Sequence, residues 1–167
     1  MTEAPQAPND AKGNATAPTR TKAEDRYVDA VADGSTLDAA LLELGQEACD
    51  RANYVGQLDE GALVKALESD EIGAADKAIP YLCPEEAPAL AEARGGVVDG
   101  TWKVGTDIGV GTYDSVNPGD GCAWVVSDAD GKVLSSGKAG DGEVSLGSNA
   151  AQFRSKDCVI WLPLSDG

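Results

Sequence analysis

The chain has four cysteines and no histidine among its 167 residues. The cysteines fall into two well-separated pairs, Cys49 with Cys83 and Cys122 with Cys158. That spacing reads as two small units, each closed by its own disulfide. A unit of about 70 residues has a marginal apolar core and commonly relies on a covalent staple. Closing a loop of about 35 residues stabilises by roughly 3–4 kcal/mol in the chain-entropy model. Spaced, even-numbered cysteines in units this small point to an oxidising compartment. The competing reading is four unrelated buried thiols in a cytosolic protein. Zinc would need a C-x-x-C pair or accompanying histidines, and neither is present.

Composition divides the chain at the same place. Trp102, Trp124, Trp161 and the single phenylalanine, Phe153, all follow residue 100. Residues 22–95 are instead rich in Ala, Leu, Glu and Asp, mostly helix formers. The expected fold is therefore α+β in two modules. Residues 1–21 form a flexible Ala/Pro/Thr-rich tether, because such a segment cannot bury enough apolar surface to offset its ordering entropy. Residues 22–95 form a disulfide-closed helical bundle, and 96–167 a small antiparallel β-sandwich or partial barrel. The sequon Asn14-Ala15-Thr16 is too short a match to carry weight.

Within the helical part, Tyr27, Val28 and Val31 give a first apolar face that stops at Gly34. Ser35, with Asp38 three residues on, reads as the N-cap of a second helix. That helix places Leu37, Leu41, Leu42, Leu44 and Cys49 largely on one stripe. A third helix runs from about Leu58 to Glu68. Ser69, followed by Asp70 and Glu71, is expected to start a fourth with Ile72, Ala75, Ile79 and Leu82 inward, bracketed at its end by Pro80 and Pro84. Residues 85–94 add a short acidic helix. From Val97 the pattern changes to period two, with strands expected at Thr101–Val104, Ile108–Tyr113, Cys122–Ser127, Lys132–Ser135, Glu143–Leu146 and Cys158–Leu162. Asp130-Gly131 and Asp141-Gly142 are hairpin signals.

The net charge is −16, from 29 acidic and 13 basic residues. Residues 1–96 hold 19 of the acids and 8 of the bases, so both halves are acidic. Such a surface repels phosphate backbones, which argues against nucleic acid and anionic lipid as partners. No apolar run approaches the length of a membrane span, and no secretory signal is visible in residues 1–167.

Ordered motifs link both halves to modules of exported actinobacterial proteins. Asp25-Arg26-Tyr27-Val28, Gly45-Gln46-Glu47-Ala48-Cys49 and Tyr81-Leu82-Cys83-Pro84 resemble a two-cysteine helical domain of unknown function. The run from Val104 to Tyr113 (Val-Gly-x-Asp-Ile-x-x-Gly-x-Tyr), then Cys122-Ala123-Trp124 and Cys158-Val159-Ile160-Trp161, is similar to a two-cysteine β-module of exported lipoproteins. Val110 departs from that pattern, which often has proline there. The resemblance covers about 120 residues and implies disulfides and an envelope or extracellular setting, with a lipid anchor upstream of the sequence as one form of attachment. It implies no established activity.

Without histidine, Ser-His-Asp and Cys-His nucleophiles are excluded. Paired carboxylates could serve glycoside hydrolysis, but with 29 acids some pair will lie close by chance. Gly105, Gly109 and Gly111 lack a following Gly-Lys-Ser/Thr and read as turn or packing glycines rather than a phosphate loop. Asp128-Ala129-Asp130-Gly131 reads as a hairpin turn, since Val126 and Gly137 cannot supply the oxygens of a calcium loop. Tyr113, Trp124, Phe153 and Trp161 read as core, with Trp102 the exception. The loop Asn117-Pro118-Gly119-Asp120-Gly121 is a candidate contact site together with Trp102. No catalytic, cofactor-binding or metal-ligating residue is assigned, and no cofactor is expected. The expected function is non-catalytic binding outside the cytoplasm, to an envelope protein, host surface or wall polymer. The alternatives are a phage virion or phage-encoded surface protein and, third, a carboxylate-dependent hydrolase.

Overall fold

A computed structural model describes residues 20–141 and 143–164; the expected tether up to Thr19 and the sequon at Asn14 lie outside them. Five α-helices precede a curled, six-stranded antiparallel sheet that forms a half-barrel. Helix α1 spans Lys22–Val31 and opens with a capping box. Thr21 Oγ1 accepts the Glu24 N–H at 3.1 Å, and Glu24 Oε1 accepts the Thr21 N–H at 2.9 Å, which satisfies two otherwise orphaned donors.

Helix α2 spans Asp38–Leu58 and begins without a side-chain cap. Ser35, the expected N-cap, lies in the preceding turn. There Asp33 takes over: its carboxylate accepts the N–H groups of Ser35 and Thr36 at 2.9 and 2.8 Å and the Thr36 hydroxyl at 3.0 Å. These bonds, the Thr36 N–H foremost, hold the Asp33 carboxyl down at about 2. Helix α3 spans Glu60–Glu68, with Asp59 capping it through the Gly61 N–H at 2.9 Å.

The fourth helix does not start at Ser69. Ser69 closes α3, and α4 spans Ala75–Leu82. The reason is a Schellman ending: the Glu71 N–H reaches Ala66 O at 2.9 Å and the Asp70 N–H reaches Leu67 O at 3.2 Å. Asp70 supplies the left-handed residue, at φ 57°, where glycine is more usual. A 3-10 turn at Pro84–Glu86 leads into α5, Ala87–Arg94, which ends on left-handed Gly95 at φ 78°.

Pro80 lies inside α4 rather than at its end. Pro84 has no N–H to close a helical bond onto the Pro80 carbonyl. A side chain from the sheet supplies it instead: Asn117 Nδ2 donates to Pro80 O at 3.0 Å.

The strands are β1 Val97–Lys103, β2 Gly111–Val116, β3 Ala123–Ser127, β4 Val133–Lys138, β5 Glu143–Leu146 and β6 Gln152–Pro163. They run in the order β4-β3-β6-β2-β5, with β1 also paired to β6. The long β6 is therefore the spine, joined to β1, β2 and β3. The strand expected at Ile108 starts only at Gly111, because residues 105–108 close a tight turn in which the Gly105 N–H donates to Ile108 O at 2.7 Å. Cys122 precedes β3 and Cys158 sits mid-strand in β6, so neither heads a strand.

Two disulfides staple the chain. Cys49 on α2 joins Cys83 at the end of α4, and Cys122 joins Cys158. One apolar cluster lies mainly among the helices, with Tyr27, Leu63, Leu67, Ile79 and Leu90 at its centre, and takes in Val116 and Ile160 from the sheet. Tyr27 packs against Gly45 of α2 so closely that a Cβ there would fall 2.6 Å from its ring. The second cluster fills the half-barrel. Trp161 packs edge-on to Trp124 and Phe153, with ring centroids 6.3 and 5.4 Å away.

Val116 and Ile160 are register partners, and through them the helices cover one half of the sheet's outer face. Asn117 pins this seam from a left-handed backbone, φ 62°. Asn117→Gly, which keeps that backbone easy, is expected to cost about 1 kcal/mol for the lost bond to Pro80 O. Asn117→Ala adds the left-handed penalty and should cost about 2 kcal/mol. Thermal unfolding of the two variants beside the parent separates these effects.

Candidate functional site

Helix α2 carries two adjacent apolar stripes, and only one is buried. Gly45, Cys49 and Ala52 face α1 and α4, where small side chains let the helices approach closely. Leu37, Leu41 and Leu44, at spacings of four and three, form a second stripe on the neighbouring face. Leu37 is 78% and Leu44 55% exposed, with Leu41 between them half-buried, so the single buried leucine stripe expected from the sequence is corrected. Leu42, Val55 and the small residues serve the core.

Beside this ridge lies a groove of about 500 Å³, walled by Val31, Leu41, Leu44, Ile72 and Ala74. Its far wall is the α3–α4 turn, and Arg94 fixes that turn. From the last turn of α5, the Arg94 guanidinium donates to Asp76 Oδ1 at 2.9 Å, to Asp70 Oδ1 at 3.2 Å and to the Leu67 carbonyl at the end of α3. Arg94 was not singled out from the sequence. Its signal there is a lone cation at a helix C-terminus, a favourable place for positive charge. The groove and the shallow clefts flanking Leu44 together present Asp70, Asp76, Glu43, Glu47 and Asp50 against Lys77, Arg51 and Arg94. That is five carboxylates to three cations, and Arg94 is already shared between two of the acids.

The four predicted contact residues fall in two places. Asn117 and Pro118 lie at the helix–sheet seam: Asn117 holds Pro80, and the Pro118 carbonyl accepts from Arg26 Nη2 at 3.0 Å. Asp120 is exposed in the same loop, and the loop is tied to β6 by the Gly119 N–H donating to Asp157 O at 2.8 Å. Trp102 lies on β1 opposite Phe153, half-buried, its indole N–H donating to Val98 O at 2.8 Å. Among the described residues no hydrogen bond joins it to the loop.

The acidic segments resolve locally. Asp128 Oδ1 accepts the N–H groups of Asp130 and Lys132, each at 2.9 Å, closing its own hairpin turn. Among the described residues no group of three His, Cys, Asp or Glu side chains is arranged to hold a metal ion. Glu86 has its carboxyl pushed up, first by burial and then by Glu85 and Glu60. It packs against Gly56, outside the groove. Tyr113, whose hydroxyl donates to Gly109 O at 2.8 Å, is raised by burial. No family model, curated protein or solved structure gave a significant match to this chain.

Proposed function

We propose that this chain is a non-catalytic interaction protein of the cell envelope or secreted fraction, built of two disulfide-stapled modules. The observation that carries this is the leucine ridge on α2 beside its groove. A contiguous apolar ridge exposed next to a cleft marks an interaction site in a folded protein. The fitting occupant is an amphipathic helix of a partner, laid into the groove by its apolar face with basic residues along its flanks. Helix-in-groove recognition of this kind uses anchors at helical spacing, and the excess of carboxylates around Leu44 complements a cationic flank.

Two further observations support the setting. Both disulfides fit an oxidising environment, and among the described residues no helix is long and apolar enough to cross a membrane. The motif resemblance to exported actinobacterial modules points the same way.

A synthetic Leu/Lys amphipathic peptide, titrated calorimetrically, tests the site. Leu44→Asp is expected to weaken its binding at least tenfold. Leu58→Asp adds the same charge at the far end of α2, where Leu58 is also exposed (69%), and should leave binding within twofold. Equal losses in both variants would reduce the effect to general charge and sink the proposal. A concentration-dependent dimer that Leu44→Asp dissolves would instead give the ridge to a second copy of the chain, and would also overturn it.

A further inference from the structure

The net charge of −16 conceals a local reversal on the sheet. The helices cover the outer face only where Val98, Val116, Ile160 and Leu162 lie. The other half, formed by β4, β3, the first half of β6 and the end of β1 from Thr101 to Lys103, has no helix over it among the described residues. Paired residues share a face, so the register identifies what points outward. Ala123 pairs with Lys138 and Lys156, and Val125 with Ser136 and Arg154. Thr101 pairs with Arg154, and Lys103 with Gln152. The intervening Trp124, Val126, Phe153 and Ser155 are buried inside the half-barrel, which confirms the direction.

These nine positions, with Ser127 and Val133 continuing the row past Gln152, hold Lys103, Lys138, Arg154 and Lys156 and no acid. The chain as a whole has more than two acids per base, so the composition of this face is not that of a random surface sample. Among the described residues none of the four cations forms a salt bridge. Asp107 and Asp141, at the strand ends, accept the backbone N–H groups of Lys103 and Lys138 at 2.9 and 2.8 Å. All four cationic side chains are exposed.

The geometry points to a docking face for a polyanion. Strand spacing places Lys138 and Lys156 about 10 Å apart across Ala123, and Arg154 about 7 Å from Lys156 along β6. We propose that this face binds a phosphodiester-linked, hydroxyl-rich polymer. Three lysines to one arginine favour point-charge contact with phosphates over planar, bidentate recognition of carboxylates. Thr101, Ser136 and Gln152 lie between the cations as hydrogen-bond partners for polymer hydroxyls. Single-stranded nucleic acid is disfavoured because the outward positions include no aromatic platform for bases. The proposal is independent of the α2 groove.

The test titrates poly(glycerol phosphate) into the full chain by calorimetry, with polygalacturonate and oligo-deoxythymidine as comparison arms. Poly(glycerol phosphate) is expected to bind most tightly of the three. Its affinity should fall with salt at a slope of roughly −2 to −3 in log K against log concentration, for three or four released counterions. Arg154→Glu with Lys156→Glu should weaken it at least tenfold, and the milder Lys138→Gln by about threefold. Lys65→Glu, on α3, changes the net charge without touching the face and should leave affinity within twofold. Amide shifts on titration should map to β3, β4 and the first half of β6, a readout that needs no variant. No binding at low salt, an equal loss in Lys65→Glu, or tighter binding of either comparison polymer overturns the proposal.

Discussion

Replacing Cys122 and Cys158 together by alanine is expected to lower unfolding free energy by about 3–4 kcal/mol. The bridge spans a sequence separation of 36, and its removal frees that loop in the unfolded chain. Cys49 and Cys83, with a separation of 34, should cost a similar amount. Losing both would remove about 7 kcal/mol, which is comparable to the whole stability of an ordinary domain. The fully reduced chain is therefore expected to lose its fold near room temperature.

The aromatic distribution makes the two staples separately readable. Trp102, Trp124 and Trp161 all lie in the sheet, so tryptophan fluorescence reports the half-barrel. Far-UV circular dichroism is dominated by the helices. Opening Cys122–Cys158 should move the fluorescence transition in urea more than the dichroic one, and opening Cys49–Cys83 should do the reverse. Val116 and Ile160 are shared between the layers, so each change should be felt partly by the other probe. If both probes coincide in every variant, the proposal of two modules fails.

The coarse fold was readable because its signals are local. Tyr27 and Val28, the proline and glycine punctuation and the period-two strands each report on neighbours in sequence. The disulfides followed from spacing. The misplaced boundaries have local causes that a capping pattern alone does not reveal. Ser35 caps nothing because Asp33, two residues earlier, ties the Ser35 and Thr36 N–H groups into the preceding turn, and α2 starts only at Asp38 without a side-chain cap. Ser69 ended a helix because Asp70 adopts the left-handed conformation usually left to glycine.

What lay beyond the sequence depends on pairing. The leucines of α2 read as core because a helix with two apolar stripes has no single period that says which one is buried; α1 and α4 decide by packing on the small residues Gly45, Cys49 and Ala52. The cationic face was hidden for a different reason. Lys103, Lys138, Arg154 and Lys156 are scattered over more than fifty positions, and only the register of four strands gathers them. Summed charge argued against nucleic acid and anionic lipid as partners, whereas the register supplies a local surface for an anionic polymer.

Asp99→Ala is expected to damage the half-barrel at the kink of its longest strand. Asp99 sits at the bulge of β1, between Val98 and Gly100, facing the place where β6 kinks. There Asp157 and Val159 adopt φ of 59° and 71°, a costly conformation for a β-branched valine. The Asp99 carboxylate holds the kink together. It accepts the Cys158 N–H at 3.0 Å, the Val159 N–H at 3.0 Å and the Ser155 hydroxyl at 2.6 Å. The Ser155 oxygen in turn accepts the Trp161 indole N–H at 2.8 Å. In a regular strand Cys158 would point away from Phe153 and Ser155; the kink turns it inward, where it is fully buried and meets Cys122. Alanine would leave two backbone donors without their acceptor around a strained backbone, at a cost of about 3–4 kcal/mol. An asparagine side chain would retain one acceptor oxygen but set its amide N–H₂ against backbone donors, so Asp99→Asn should cost somewhat less, about 2–3 kcal/mol. Because the kink and the disulfide position the same residue, their losses should not add. In a cycle combining Asp99→Ala with the Cys122 and Cys158 alanines, a coupling of about 1 kcal/mol or more is expected from residues in direct contact. Urea unfolding followed by tryptophan fluorescence measures all four corners. Simple additivity would mean that the bulge holds its shape without the carboxylate, and that Cys158 is turned inward by the bridge alone.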